Sequence, residues 1–67
     1  MRLQNSPRQA LRVTSVLELT QLSKTHLYRL VKAGKFPPPI KLSERVSAWD
    51  AELVDGWLEA KFGERQA

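Results

Sequence analysis

Along the chain, apolar side chains come in short periodic clusters separated by polar or turn-forming residues, and the period changes twice. Val16, Leu17 and Leu19 follow Thr14 and Ser15, either of which can cap a helix. Ser15 with Glu18 three residues on makes a capping-box pattern. A first short helix is therefore predicted to start near Thr14 or Ser15 and to end around Thr20 or Gln21. Ser23 is a good N-cap for a second helix, Lys24 to Ala33, with Gly34 as its C-terminal stop. Two short helices separated by about three residues suggest helix-turn-helix geometry, with Leu22 as a buried plug in the turn.

Pro37-Pro38-Pro39 forbids helix and imposes an extended path. The period then drops to two. Ile40 and Leu42 alternate with Lys41, Ser43-Glu44 is the expected turn, and Val46 and Ala48 alternate with Ser47 and Trp49. This reads as a small hairpin, which must pack on the helices because two strands alone are marginally stable. Asp50 can cap a third helix, Ala51 to Phe62, with Gly63 past its end. Leu53, Val54, Trp57, Leu58 and Phe62 recur at helical spacing as one apolar face, and Glu52, Asp55 and Glu59 occupy the other. Gly56 inside this helix costs about 1 kcal/mol relative to Ala, which close backbone packing would explain. The expected fold class is mainly α with a small β-hairpin: three helices, a helix-turn-helix and a short wing. Residues 1–11, which lack clear periodicity, are expected to form a flexible N-terminal arm, residues 12–63 the folded domain, and 64–67 a C-terminal tail.

Size narrows the function. With 67 residues there is room for one domain of marginal stability. The absence of cysteine removes disulfides and cysteine-based zinc sites as staples, so one apolar cluster, with two Trp, two Phe and one Tyr available to it, must hold the fold. A large enclosed substrate cavity is not expected. No apolar run is long enough to span a bilayer, and the polar start Met1 to Ala10, with Arg2 and Arg8, precedes no signal-peptide core. A cytoplasmic protein with no membrane partner is expected.

Charge sharpens the picture further. The net charge is +4 and the sequence pI about 10.0, which points to a polyanionic partner. From Lys24 to Arg45 the cations Lys24, Arg29, Lys32, Lys35, Lys41 and Arg45 are opposed only by Glu44, whereas from Val46 onward Asp50, Glu52, Asp55, Glu59 and Glu64 outnumber Lys61 and Arg65. Such a split suits a domain with one face turned to phosphate.

The second helix holds the most informative chemistry. With Leu27 as the origin and about 100° per residue, Leu30 and Val31 fall beside it as the core stripe. Thr25, Arg29 and Lys32 lie opposite, with Tyr28 and Lys24 on one flank and His26 and Ala33 on the other. Arg can pair with guanine, Lys and Tyr can reach phosphate, and a Thr methyl can touch thymine. The plainer alternative is a solvated helix face, but such a face usually mixes signs and no acid interrupts this one. Lys41, Ser43 and Arg45 lie in or near the hairpin turn. They fit a wing gripping the DNA backbone, and equally charged edge residues that block aggregation; Lys35 can go either way. Trp49 and Trp57 could form a ligand platform, though their placement favours core. Glu52, Asp55 and Glu59 could suggest a metal site, though helical spacing of acids is more often a solvated face. His26, the only His, has no nearby acid in sequence, and no phosphate loop, nucleophile elbow or metal-ligand cluster is present. No enzyme activity, cofactor or metal is expected.

Arg12, Val16-Leu17, Thr20 with Leu22-Ser23, Leu27-Tyr28-Arg29-Leu30-Val31, Gly34 with Phe36-Pro37 and Pro39, Lys41-Leu42, Arg45, Trp49 and Trp57-Leu58 form a further, combined pattern. In it the segment from Leu11 to Phe62 resembles the AlpA-type phage and prophage regulators, members of the MerR-like excisionase helix-turn-helix group. The resemblance implies a winged DNA-binding domain with a recognition helix from Ser23 to Ala33 in the major groove and a wing around Ser43 on the backbone. It also implies transcription control of mobile-element genes, or direction of excision by an integrase, in the bacterial nucleoid. Two positions depart from the family: Gln21 where Gly is usual in the turn, and Ser43 where Gly is common in the wing. A non-Gly residue in a left-handed turn is strained. The resulting expectation is sequence-specific binding of double-stranded DNA, with Thr25, Tyr28 and Arg29 in the groove and Lys24, Lys32, Lys41 and Arg45 on phosphates. An integrase or RNA polymerase is a further candidate partner. No long heptad is visible, so a monomer or DNA-assisted multimer is expected. The alternatives are an excisionase that bends DNA through the same surface, and a protein-interaction module that uses the acidic third helix.

Overall fold

The computed structural model describes residues 9–66. Its elements run β1 (Ala10–Leu11), α1 (Val13–Thr20), α2 (Lys24–Lys32), β2 (Ile40–Ser43), β3 (Val46–Asp50) and α3 (Ala51–Gln66). The architecture is mainly helical, with a small antiparallel sheet of order β1-β3-β2 whose β2–β3 half is a wing-like hairpin. Three helices and the hairpin agree with the sequence pattern; β1 does not follow from it. Of the expected arm, residues 1–8 lie outside the described residues, and Ala10 and Leu11 pair with Asp50 and Trp49. The Ala51 N–H also donates to the Gln9 carbonyl at 3.0 Å.

That pairing explains why α1 begins earlier than its capping pattern predicts. The chain leaves the sheet at Leu11 and turns helical at once, with Arg12 as an N-cap that makes no side-chain bond. Ser15 lies inside the first turn, so the expected capping box does not form. At the other end Gln21 adopts φ 62°, ψ 23°, the left-handed region disfavoured for residues with a Cβ. Hydrogen bonds offset that strain. The Gln21 N–H donates to the Leu17 carbonyl at 2.7 Å, and its Nε2 donates to the Glu18 carbonyl, also at 2.7 Å. Thr20 Oγ1 donates to the Val16 carbonyl at 2.9 Å and accepts the Leu22 N–H at 3.3 Å.

Both ends of α2 are set by local chemistry. Ser23 Oγ accepts the His26 N–H at 3.1 Å, satisfying an otherwise orphaned donor. At the far end Gly34, at φ 77°, makes a Schellman motif: its N–H donates to the Val31 carbonyl at 3.1 Å and the Lys35 N–H to the Leu30 carbonyl at 2.9 Å. Ala33 is the C-cap rather than the last helical residue.

In the hairpin Ile40 faces Ala48, Lys41 faces Ser47, and Ser43 faces Val46, with an irregularity between Lys41 and Ser43. The turn is therefore Glu44-Arg45, one residue later than expected. A two-residue connection is the commonest hairpin length, and the irregularity absorbs the change of register. Asp50 Oδ1 accepts the Glu52 N–H at 2.9 Å and caps α3. This helix runs through Gly63 to Gln66, so residues 64–66 of the expected tail are helical.

The core is built from Val16, Leu27, Phe36, Trp49 and Val54, with Leu11, Val13, Leu17, Leu22, Leu30, Val31, Trp57 and Leu58 packed around it. Leu22 is half-buried at the turn. The apolar face expected of α3 is only partly used: Leu53 is 52% and Phe62 61% exposed. Gly56 has no close neighbour either, since a Cβ there would meet nothing within 4 Å. Tight packing is not the reason for that glycine.

Candidate nucleic-acid interface

The outward face of α2 is placed as its helical phase requires. Leu27 is fully buried, Leu30 and Val31 are half-buried, and Lys24, Thr25, His26, Tyr28, Arg29 and Lys32 are exposed. Three cations thus project from nine helical residues with no acid among them. Among the described residues nothing forms an ion pair with Lys24, Arg29, Lys32, Lys41 or Arg45; the ion pair Lys61–Glu64, at 3.7 Å, lies on α3. The charge on α2 and the hairpin is therefore not neutralised by side chains of the described fold, which leaves it open to a polyanion.

One contact orients the hairpin against α2. The Tyr28 and Trp49 rings meet edge-on, with centroids 6.0 Å apart and planes inclined by 62°. Trp49 is itself held by donation from Nε1 to the Pro37 carbonyl at 2.8 Å. The Tyr28 flank of α2 therefore faces β3, which carries the wing. Periodicity within α2 could not reveal this, because the partner lies beyond the proline run.

The three hairpin positions differ. Lys41 is an exposed strand residue opposite Ser47; Ser43 ends β2 opposite Val46 and so belongs to the ladder; Arg45 sits in the turn beside Glu44. An acid thus stands at the tip next to the cation expected to meet phosphate. Lys35 has an exposed side chain, but its main chain is a clamp: its carbonyl accepts Trp57 Nε1 at 2.7 Å, while Phe36 packs edge-on against Trp57 at 4.8 Å. Trp49 is 1% exposed, and Trp57 is half-buried under Lys61, whose Nζ lies 5.5 Å from the ring centre. Both indoles serve packing.

Glu52, Asp55 and Glu59 are exposed along α3. Among the described residues no group of three or more His, Cys, Asp or Glu could hold a metal ion, and no helix is long and apolar enough to cross a membrane. Open grooves are present among the described residues. One of 180 Å³ crosses the sheet between Ala10, Ile40, Leu42 and Ala48, and one of 390 Å³ lies beside Gly34, Phe36, Pro38 and Trp57. Asp50 is the one titratable residue lining the first and Lys35 the one lining the second, so neither brings together an acid–base pair.

The fold and its unneutralised cationic helix define a small helix-turn-helix domain braced by a wing-like hairpin. Residues 9–62 match the family model described as Prophage CP4-57 regulatory protein (AlpA), and the chain belongs to this family of phage-type regulators. It is also 34% identical over 56 residues to the uncharacterized protein ORF88 of Enterobacteria phage P4, a stretch covering 84% of this chain and 64% of that protein. The chain thus spans a little under two thirds of the length of that relative. No solved structure matches it.

Proposed function

We propose that the chain binds double-stranded DNA sequence-specifically as a phage- or prophage-type transcriptional regulator. In this reading α2 enters the major groove and the hairpin lies on the backbone. The observation that supports it most is the exposed face of α2, where Arg29 and Lys32 stand with Thr25 opposite the buried Leu27, unpaired with any described acid. Thr25, Tyr28 and Arg29 take the groove; Lys24, Lys32, Lys41 and Arg45 take phosphates, with Ser43 at the end of the strand that carries the wing. Family membership supports a regulatory role. As a nucleoid protein of the cytoplasm it would act as a monomer or a DNA-assisted multimer, with RNA polymerase or an integrase as a second partner. A MerR-like excisionase that bends DNA would use the same surface, and excision assayed with an integrase separates it from a regulator. The exposed Phe62 and the acids of α3 favour, as a second reading, a protein-docking role for that helix.

The test is an anisotropy titration against duplex from upstream of the protein's own gene and against a scrambled duplex, at two salt concentrations. Tighter binding to the native duplex that persists at higher salt is expected. Arg29→Ala should cost about 1–3 kcal/mol on the native duplex and relax preference at one base pair. Lys32→Ala should weaken both duplexes alike and lower the salt slope by about 1. Equal loss from both substitutions, with sequence preference unchanged, would overturn these roles.

A further inference from the structure

We infer that Trp49, although buried, is a specificity-determining positioning residue for the DNA surface proposed above, acting through Tyr28. The inference rests on that DNA reading.

Tyr28 stands at the flank of α2, 41% exposed. A half-exposed ring would ordinarily sample several rotamers, and ordering it on binding would cost affinity. Here one edge of the ring is packed against Trp49, so its hydroxyl is presented from a restricted position. Trp49 is fixed in turn by three restraints: burial to 1%, the 2.8 Å bond from Nε1 to the Pro37 carbonyl, and pairing of its backbone with Leu11. Pro37 lies in the connection between α2 and β2, and its ring restricts φ. One indole therefore joins the three pieces whose relative placement decides where the helix face and the wing can meet a duplex: α2 through Tyr28, the proline connection through its carbonyl, and the hairpin through β3 itself. At 1% exposure Trp49 has no surface with which to touch DNA. Its influence must pass through its neighbours, and among the partners named here Tyr28 is the one that stands on α2 with an exposed side chain.

A double-mutant cycle tests this. Trp49→Phe keeps an aromatic edge but removes the indole N–H and part of the packing surface. It is expected to weaken binding to the native duplex roughly two- to tenfold, the range of one aromatic pair, and to leave affinity for the scrambled duplex unchanged. In a Tyr28→Ala background the same substitution is expected to have no further effect. Equal weakening on both duplexes, or additive losses, overturns the inference. If Trp49→Phe does not fold, the protein labelled with 5-fluorotryptophan keeps the question open to measurement, with Trp57→Phe assigning the two resonances. The Trp49 signal should shift on saturation with native duplex and stay still in Tyr28→Ala; an unmoved signal, or the same shift in that variant, overturns the inference. Preference for the native duplex that falls in Arg29→Ala while the cycle is additive removes the role of Trp49 alone. Absence of any preference in the unmodified protein removes the DNA reading and this inference with it.

Discussion

Helices α2 and α3 are built from similar apolar residues but solve opposite problems. The nine residues of α2 bury one narrow stripe, end in tight caps on both sides, and leave Arg29 and Lys32 unpaired with described acids. The sixteen residues of α3 are fixed at one end by Asp50 and anchored near the middle by Val54 and Trp57. Leu53, just ahead of these two, and Phe62, well beyond them, stand in solvent, and Glu52, Asp55 and Glu59 are exposed along the helix. In the DNA reading proposed above, defined termini at both ends suit α2, because fraying would move the side chains assigned to the duplex. A helix that braces the domain needs only its anchored stretch. Charge differs between the two as well: α2 carries three cations and no acid, whereas on α3 Glu52, Asp55, Glu59 and Glu64 accompany Lys61.

The contrast is most exposed in the core. Leu27→Ala in α2 removes a fully buried side chain from the centre of the cluster and should cost about 2–5 kcal/mol, a large share of the stability of so small a domain. Phe62→Ala in α3 removes a ring that is 61% exposed and should stay within about 0.5 kcal/mol. Urea denaturation followed by circular dichroism measures both. A comparable loss from Phe62→Ala would show that the far end of α3 packs on something in solution, and the contrast would fail.

Caps give the next largest effect and show what could be read from the chain alone. Ser23 and Gly34 act on donors and acceptors a few residues away, so both bounds of α2 were legible to within a residue, and its outward face followed from its phase. Ser15 and Glu18 have the same local signature, yet α1 starts at Val13 because Leu11 is held against Trp49. A contact 38 residues distant outweighed a local preference. The Tyr28–Trp49 contact and the position of Ser43 in the ladder were hidden for the same reason: both depend on where the hairpin docks. The overlong apolar face assigned to α3 has another cause, since periodicity marks which side of a helix can be buried but not how far its neighbours extend. Ser23→Ala should therefore cost about 1 kcal/mol, and Ser15→Ala should be near neutral, because no cap bond is lost. Equal losses at the two serines would mean that the Ser23 bond contributes little to the sharp start of α2.

The smallest effect expected is one of sign. Gly34 closes α2 with φ 77°, where a Cβ is strained even though open space surrounds it. Gly34→Ala should therefore destabilise, by about 1 kcal/mol. Gly56 lies within α3 at helical dihedrals, and a Cβ there also meets nothing within 4 Å. Gly56→Ala should accordingly stabilise, by about 0.4–1 kcal/mol, mainly by narrowing the unfolded ensemble. Paired thermal melts of the two variants give the comparison directly. A rise for Gly56→Ala with duplex affinity unchanged would fit a helix that braces the domain and takes no part in the interface. A rise in stability accompanied by weaker duplex binding would mean that α3 must bend at Gly56 when the protein engages DNA. The division of labour between the two helices would then have to be redrawn.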